Sequence, residues 1–411
     1  MTGGDVIDWR SKGFWWPGPP VSQAEFVAAR HHLFGGSFTW PVLVARRAAI
    51  DHNIATLAGF CARHGLEFAP HGKTTMAPSL FAAQLAAGAT AITVATANQV
   101  LACRAFGVPS VLLANELLDP TVLRWVAGEG ERGFEFLCYV DSLAGVAAVR
   151  EALATAPGGR PVRVLAELGY PGGRTGCRDL AELTAVARAV AAAPRVELAG
   201  VAGYEGGLST VDEVGRYLDG LREAVTHLAA QRLLPDPVVV TAGGSRYFDL
   251  VAARLSGAWL PGRRLRTILR SGAYVSHDDG VYAGWTPFRR VPGEGALDAA
   301  LEVWAQVLST PEEGLAIVGM GKREAPYDEG LPVPRWVRGG DGQVRAAAAG
   351  LRTTAVNDHH GYLAVPPGAG LAPGDLVGFG ISHPCSAFDK WQLIPVVDGD
   401  HTVTDVIRTY F

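Results

Sequence analysis

The sequence predicts an α/β chain: a (β/α)8 barrel joined to a second, mainly β carboxy-terminal domain. Three observations carry that expectation. The 411 residues exceed the roughly 250 to 300 at which a single hydrophobic core stops growing. From about residue 66 to 272, short apolar runs alternate with segments of helical period, the pattern of βα units around a parallel sheet. Beyond residue 283, short apolar runs are broken by Gly, Pro and Asp, as in Gly374-Asp375-Leu376-Val377-Gly378, and this texture reads as all-β.

Taken in order, the expected strands are Glu67 to Pro70, Ala91 to Ala95, Ser110 to Ala114, Phe136 to Val140, Val162 to Leu168, Glu197 to Ala202, Pro237 to Thr241 and Arg266 to Leu269. Between them lie amphipathic crossovers; Leu180, Leu183, Val186, Ala187 and Val190 illustrate the spacing. A doubly wound open sheet competes with the barrel, but it would more often carry a Gly-rich turn after its first strand, where this chain has His71-Gly72-Lys73. A helix over about Arg46 to His64 leads in. The expected division is a barrel over 40–282 and a β domain over 283–411, with 1–39 packing on one of the two; order is expected throughout except in the first dozen residues.

The bulk numbers exclude several classes. Net charge is -4, and the Lys and Arg residues form no basic stripe, so nucleic acid is not an expected partner. No apolar run approaches the ~20 residues needed to span a bilayer, and the amino terminus lacks the apolar core of a signal peptide. The expected setting is therefore cytoplasmic. Five irregularly spaced cysteines suit a reducing compartment rather than a disulfide framework.

A barrel gathers its chemistry on the loops after its strands. Reactive residues do cluster there: His71 and Lys73 after the first strand, Arg174 after the fifth, Tyr204 and Glu205 after the sixth, Gly243, Gly244 and Ser245 after the seventh, and Gly272 and Tyr274 after the eighth. Thr241-Ala242-Gly243-Gly244-Ser245 has the parts of a phosphate loop, glycines for close backbone approach and a hydroxyl. Lys73 stands alone among apolar and hydroxyl residues, surroundings that lower a lysine's pKa and suit a Schiff base. In the second domain, His383 and Cys385 stand two apart on an expected extended segment, so both can face one metal ion, Zn²⁺ foremost, with open positions left for catalysis. Asp358, His359 and His360 are candidates for a further ligand or an acid–base group, and spacing does not choose among them.

Together these segments resemble the D-serine dehydratase and D-threonine aldolase family of fold-type III pyridoxal-phosphate (PLP) enzymes. The matching pieces are Pro70-His71-Gly72-Lys73-Thr74, Arg174-Thr175-Gly176, Gly203-Tyr204-Glu205-Gly206, the Thr241 to Ser245 loop, Leu269-Arg270-Ser271-Gly272-Ala273-Tyr274, and the His383/Cys385 pair, in order over about three quarters of the chain. The resemblance implies that Lys73 carries PLP, that Arg174 contacts its phenolic oxygen and that Tyr204 lies near its pyridine nitrogen. It implies that Gly243, Gly244, Ser245, Gly272 and Tyr274 cradle the phosphate, and that the assembly is a homodimer. Dehydratase members use His and Cys on zinc, whereas aldolases carry an acid at the second position. The implied reaction is elimination from a D-β-hydroxy amino acid such as D-serine or D-threonine, giving a 2-oxo acid and ammonia. Many relatives have a histidine where this chain has Thr75. The alternatives are a metal-dependent aldolase releasing glycine and an aldehyde, a racemase, which needs a second base, and a non-catalytic PLP-binding protein, which usually consists of the barrel alone.

Overall fold

A computed structural model of the chain describes residues 6–156 and 158–411. Eight parallel strands form one ladder: Glu67–Phe68, Ile92–Val94, Ser110–Glu116, Glu135–Val140, Val162–Leu168, Val196–Gly203, Val238–Ala242 and Leu265–Leu269. The eighth strand pairs back onto the first. The first and second join through a His71–Thr93 bridge, where Thr93 N–H donates to the Pro70 carbonyl at 2.9 Å. The sheet therefore curls round to meet itself, and the barrel expected from the apolar periodicity is the observed fold.

Helix starts fix where each crossover leaves the sheet. Thr96, Asp119, Ser142, Asp179 and Thr210 each accept an N–H from the first turn of the helix that follows, which satisfies a donor the helix itself cannot. Inside the barrel, small residues (Ala69, Ala91, Ala199, Ala202) leave room for Tyr139 among Leu112, Leu165 and Val239. A side chain of that size reaching the axis brings a phenol to the mouth.

The second body is built on the long strand Leu301–Glu312, which pairs antiparallel with Leu376–Gly380, Leu315–Val318 and Val42–Arg46. Val42–Arg46, grouped with the barrel by a division at residue 40, thus lies in the second sheet. Its run Val42-Leu43-Val44-Ala45 is buried on both faces, which suits an interior strand better than a barrel entrance. The helix Arg47–Arg63 then crosses to the barrel. Phe14, Phe26, Leu33 and Phe38 pack with Val42, Trp304 and Leu393, tying the amino-terminal segment to this sheet. Of the first dozen residues expected to lack order, residues 1–5 lie outside the described residues, and Val6–Ile7 pairs with Val21–Ser22. No helix among the described residues is long and apolar enough to cross a membrane. All five cysteines are free: Cys61, Cys103, Cys138 and Cys177 are buried, and Cys385 is partly open.

Candidate active site

A cavity of about 220 Å³ opens at the carboxyl ends of the strands. Its walls include His71, Lys73, Arg174, Tyr204, Gly243, Gly244, Ser245 and Gly272 from the barrel, and Cys385 from the second body. Most of the residues singled out by sequence therefore meet in one place.

Lys73 sits in the middle of a single 3-10 turn, Gly72–Thr74, just past the first strand. The turn fits only because residue 72 is glycine: a Cβ there would come within 2.7 Å of Ile92 Cγ2 and of the Phe81 ring. The Lys73 side chain stands in the open cavity, yet the surrounding protein removes enough water to lower its pKa. Cys385 opposes that shift, while Arg174 and Arg270 add to it. A lysine displaced toward its neutral form is the nucleophile that Schiff-base chemistry requires. His71, beside it, is pushed well below its usual pKa by burial first and then by Lys73, Arg270 and Arg174; its Nδ1 is buried without a partner.

The glycine loop departs from expectation. The N–H groups of Gly243 and Gly244 donate to Glu205 at 3.0 and 2.8 Å, and Glu205 is fully buried. An anion from the chain itself thus fills the backbone nest that the sequence offered to a phosphate. The donors left facing the cavity are the N–H groups of Ser245 and Gly272, which have no partner among the described residues, and the Ser245 hydroxyl, which accepts Ala273 N–H at 3.3 Å. Tyr274 turns away: its side chain is buried, its hydroxyl accepts from Gln84 at 2.9 Å, and its ring packs edge-on against Phe68. It takes no part in the cavity wall, because the 3-10 turn Ala273–Val275 directs it into the core.

Arg174 lies over the ring of Tyr204, 5.3 Å from its centre. Tyr217 holds the loops after the fifth and sixth strands together, accepting Tyr204 N–H at 2.9 Å and donating to the Leu168 carbonyl at 2.6 Å.

His383 and Cys385 also depart from the extended segment expected. His383 caps the short helix Pro384–Phe388, whose first turn carries Cys385. The two still converge, since Cys385 is the foremost influence on the His383 imidazole, raising its pKa to about 9 together with Asp328. Asp328 Oδ2 lies 2.6 Å from His383 Nδ1, and its other oxygen accepts from Ser386 at 2.8 Å, which leaves His383 Nε2 as the free ring nitrogen. Cys385 Sγ is 3.3 Å from the hydroxyl of Thr74, the residue after Lys73. Imidazole and thiolate with a carboxylate behind the imidazole form a donor set suited to a borderline-soft metal. Asp358, His359 and His360 do not join them: His359 bonds Glu324 at 2.9 Å, Asp358 approaches Arg323, and none of the three lines the cavity.

Four contributors were given no role by the sequence reading, Arg270 among them although it stands within a matching segment. Arg270 is buried and bonds Thr241 Oγ1 at 2.6 Å and the Gly203 carbonyl at 2.8 Å. Tyr282, carried by the helix Val281–Trp285, lines the cavity, as do Glu167 and Tyr139.

Comparison with known proteins gives the same outline. Residues 46–257 match the alanine racemase, N-terminal domain family, and residues 300–397 match a putative serine dehydratase domain. The D-threonine aldolase of an Arthrobacter species is 28% identical over 80% of this chain and 81% of its own. The D-threo-3-hydroxyaspartate dehydratase of Delftia sp. (strain HT23) is 30% identical over 81% of this chain and 85% of its own. Among solved structures, a cysteine-to-alanine mutant of D-threo-3-hydroxyaspartate dehydratase in the metal-free form superimposes with a TM-score of 0.69 at 25% identity, covering 90% of this chain and 97% of that one.

Proposed function

The chain belongs to the alanine racemase N-terminal domain family of fold-type III PLP enzymes, and from that premise we propose that it is a PLP- and zinc-dependent dehydratase of a D-β-hydroxy amino acid, releasing a 2-oxo acid and ammonia. One observation carries the reading: Cys385 lines the same cavity as Lys73 and lies 3.3 Å from the hydroxyl of Thr74, the neighbour of that lysine, so a metal on His383 and Cys385 and a cofactor on Lys73 would meet one substrate.

Lys73 would hold the cofactor through Nζ and, once the substrate amine has displaced it, would take the α-proton. The N–H groups of Ser245 and Gly272 and the Ser245 hydroxyl would be the phosphate donors, while Gly243 and Gly244 shape the loop with their own N–H groups committed to Glu205. Arg174 and Tyr204, stacked on one another, would form the wall against the cofactor ring. His383 Nε2 and Cys385 Sγ would hold the metal, with Asp328 fixing the imidazole. When bound, the cofactor stabilises the negative charge left on Cα, and the metal acts as a Lewis acid on the β-hydroxyl. A thiolate ligand favours Zn²⁺ over harder divalent ions. The mutated cysteine of the metal-free dehydratase structure supports a cysteine in this role. The assembly we propose is a homodimer.

Retro-aldol cleavage to glycine and an aldehyde is the second reading, favoured by the similarity to a D-threonine aldolase. Purified protein incubated with D-serine, D-threonine and D-threo-3-hydroxyaspartate, with and without chelator, separates the two. Chelator-sensitive 2-oxo acid is the expected product. Glycine with an aldehyde assigns the chain to the aldolase reaction instead.

A further inference from the structure

Three carboxyl groups meet on the far side of the same mouth. Glu116 ends the third barrel strand, Asp141 follows the fourth, and Glu167 stands one residue before the end of the fifth; one oxygen of each lies within 4.8 Å of the others. In an eight-stranded ring the fifth strand is opposite the first, so Glu167 faces Lys73 across the cavity that both line.

What surrounds the group matters more than its number of acids. Glu167 is 3% exposed, and its Oε2 and the Oε1 of Glu116 are buried without a donor. Asp141 is better served, accepting Gly176 N–H at 3.1 Å. The cations facing Glu167 are Arg174 from the loop after its own strand and Arg270 just past the end of the eighth strand. Arg174 lies over Tyr204, and the Arg270 hydrogen bonds go to Thr241 and Gly203. The remaining neighbours are the Thr175 hydroxyl, which favours the charged form of Glu167, the thiol of Cys177, and the phenols of Tyr139 and Tyr217, Tyr139 again buried with an unpartnered hydroxyl. Two carboxylates this close, each with a donor-free buried oxygen, do not both ionise; a proton between them removes the repulsion and supplies the missing donor.

We infer that Glu116 and Glu167 share one proton held between them, so that Glu167 enters the cavity without the full negative charge that would repel an anionic oxygen of the bound ligand. Glu116 is the positioning residue, holding that proton in place. Burial, and after it the charge of Glu116, pushes Glu167 up to about 7, and burial with the charge of Asp141 raises Glu116, both in the direction this sharing requires. The nature of the ligand rests on the lyase reading above; the proton does not, and it is measurable whichever reaction the cavity performs.

The test is an infrared pH titration of the PLP-loaded protein beside its Glu167→Gln and Glu116→Gln variants. The expected result is a protonated-carboxyl C=O band at pH 6 that disappears as pH rises through about 7. Read as the difference between parent and Glu167→Gln, which cancels other protonated carboxyls such as Asp278, held up to about 6 by burial, the band should be lost at lower pH in Glu116→Gln. Thermal stability supplies a second measurement. The folded chain keeps a proton that the unfolded chain releases near the usual 4.5, so this site's contribution to stability falls as pH rises from 4.5 to about 7. The Tm of Glu167→Gln relative to the parent should therefore climb across that window and then level off. No carboxyl band at pH 6 would overturn the proposal. So would a Mn²⁺ or K⁺ ion bound by Cys385→Ala protein and released on adding Glu167→Gln, because an ion would then occupy the place of the proton.

Discussion

The two walls of the cavity are held by different means. On the barrel side, Lys73, Arg174, Tyr204 and Ser245 stand just beyond ladder strands, and their positions follow from backbone hydrogen bonds spread round the ring. On the other side, Tyr282 and Cys385 ride on five-residue helices, Val281–Trp285 and Pro384–Phe388, too short to be stable alone. Single carboxylates hold that wall: Asp278 accepts N–H bonds from Gly280, Tyr282 and Ala283 at 2.9 to 3.1 Å, and Asp328 holds His383 and Ser386. The barrel wall should tolerate changes outside the site, and the opposite wall should fail wherever one carboxylate is removed.

The largest effect belongs to the barrel wall itself. Lys73→Ala should remove the absorbance of the lysine-bound cofactor and reduce turnover to background, since no neighbouring amine replaces Nζ; an unchanged spectrum would exclude this lysine as the anchor. Cys385→Ala comes next. It should lower metal content and elimination together, and full activity in metal-free protein would exclude the metal from the reaction. Asp328→Asn tests the support behind that pair: losing an outer carboxylate costs metal-binding sites about 10- to 100-fold in affinity, so a metal titration should show that loss while the cofactor spectrum stays unchanged.

The same contrast explains what was legible in the sequence. Barrel strands declare themselves through apolar periodicity, and a group just past a strand end belongs to the mouth; that logic found Lys73, Arg174, Tyr204 and Ser245. It misplaced Tyr274, because a strand end does not reveal which way the following 3-10 turn sends each side chain. It passed over Glu167 and Arg270, although each interrupts an apolar run at the end of a strand, a signal of a buried charge with a task. His383-Pro384 was read as extended, although proline at the first helical position marks a helix start. Asp328 had no signal of that kind: it lies 55 residues before His383, joined to it only by the fold.

The smallest expected effects come from one cap on each wall. Thr210 begins the helix Val211–Ala230 with a reciprocal pair of bonds to Glu213, and Thr210→Ala should cost about 1 kcal/mol of stability. Since Tyr204, upstream of that helix, is held by Tyr217 and the ladder, kcat/KM should be unchanged. Asp278→Ala leaves three half-buried N–H groups to partial hydration, a loss of roughly 1 to 3 kcal/mol in all, not much more than the first. Here, however, the released turn carries Tyr282 into the cavity, so kcat/KM should fall even where the protein is fully folded. Denaturation midpoints and kinetics measured on the same preparations decide the matter. If both variants lose activity only in proportion to unfolding, the two walls are equally secured and the distinction fails; if Asp278→Ala alone loses activity while folded, the wall facing the barrel is the one that single carboxylates hold in place.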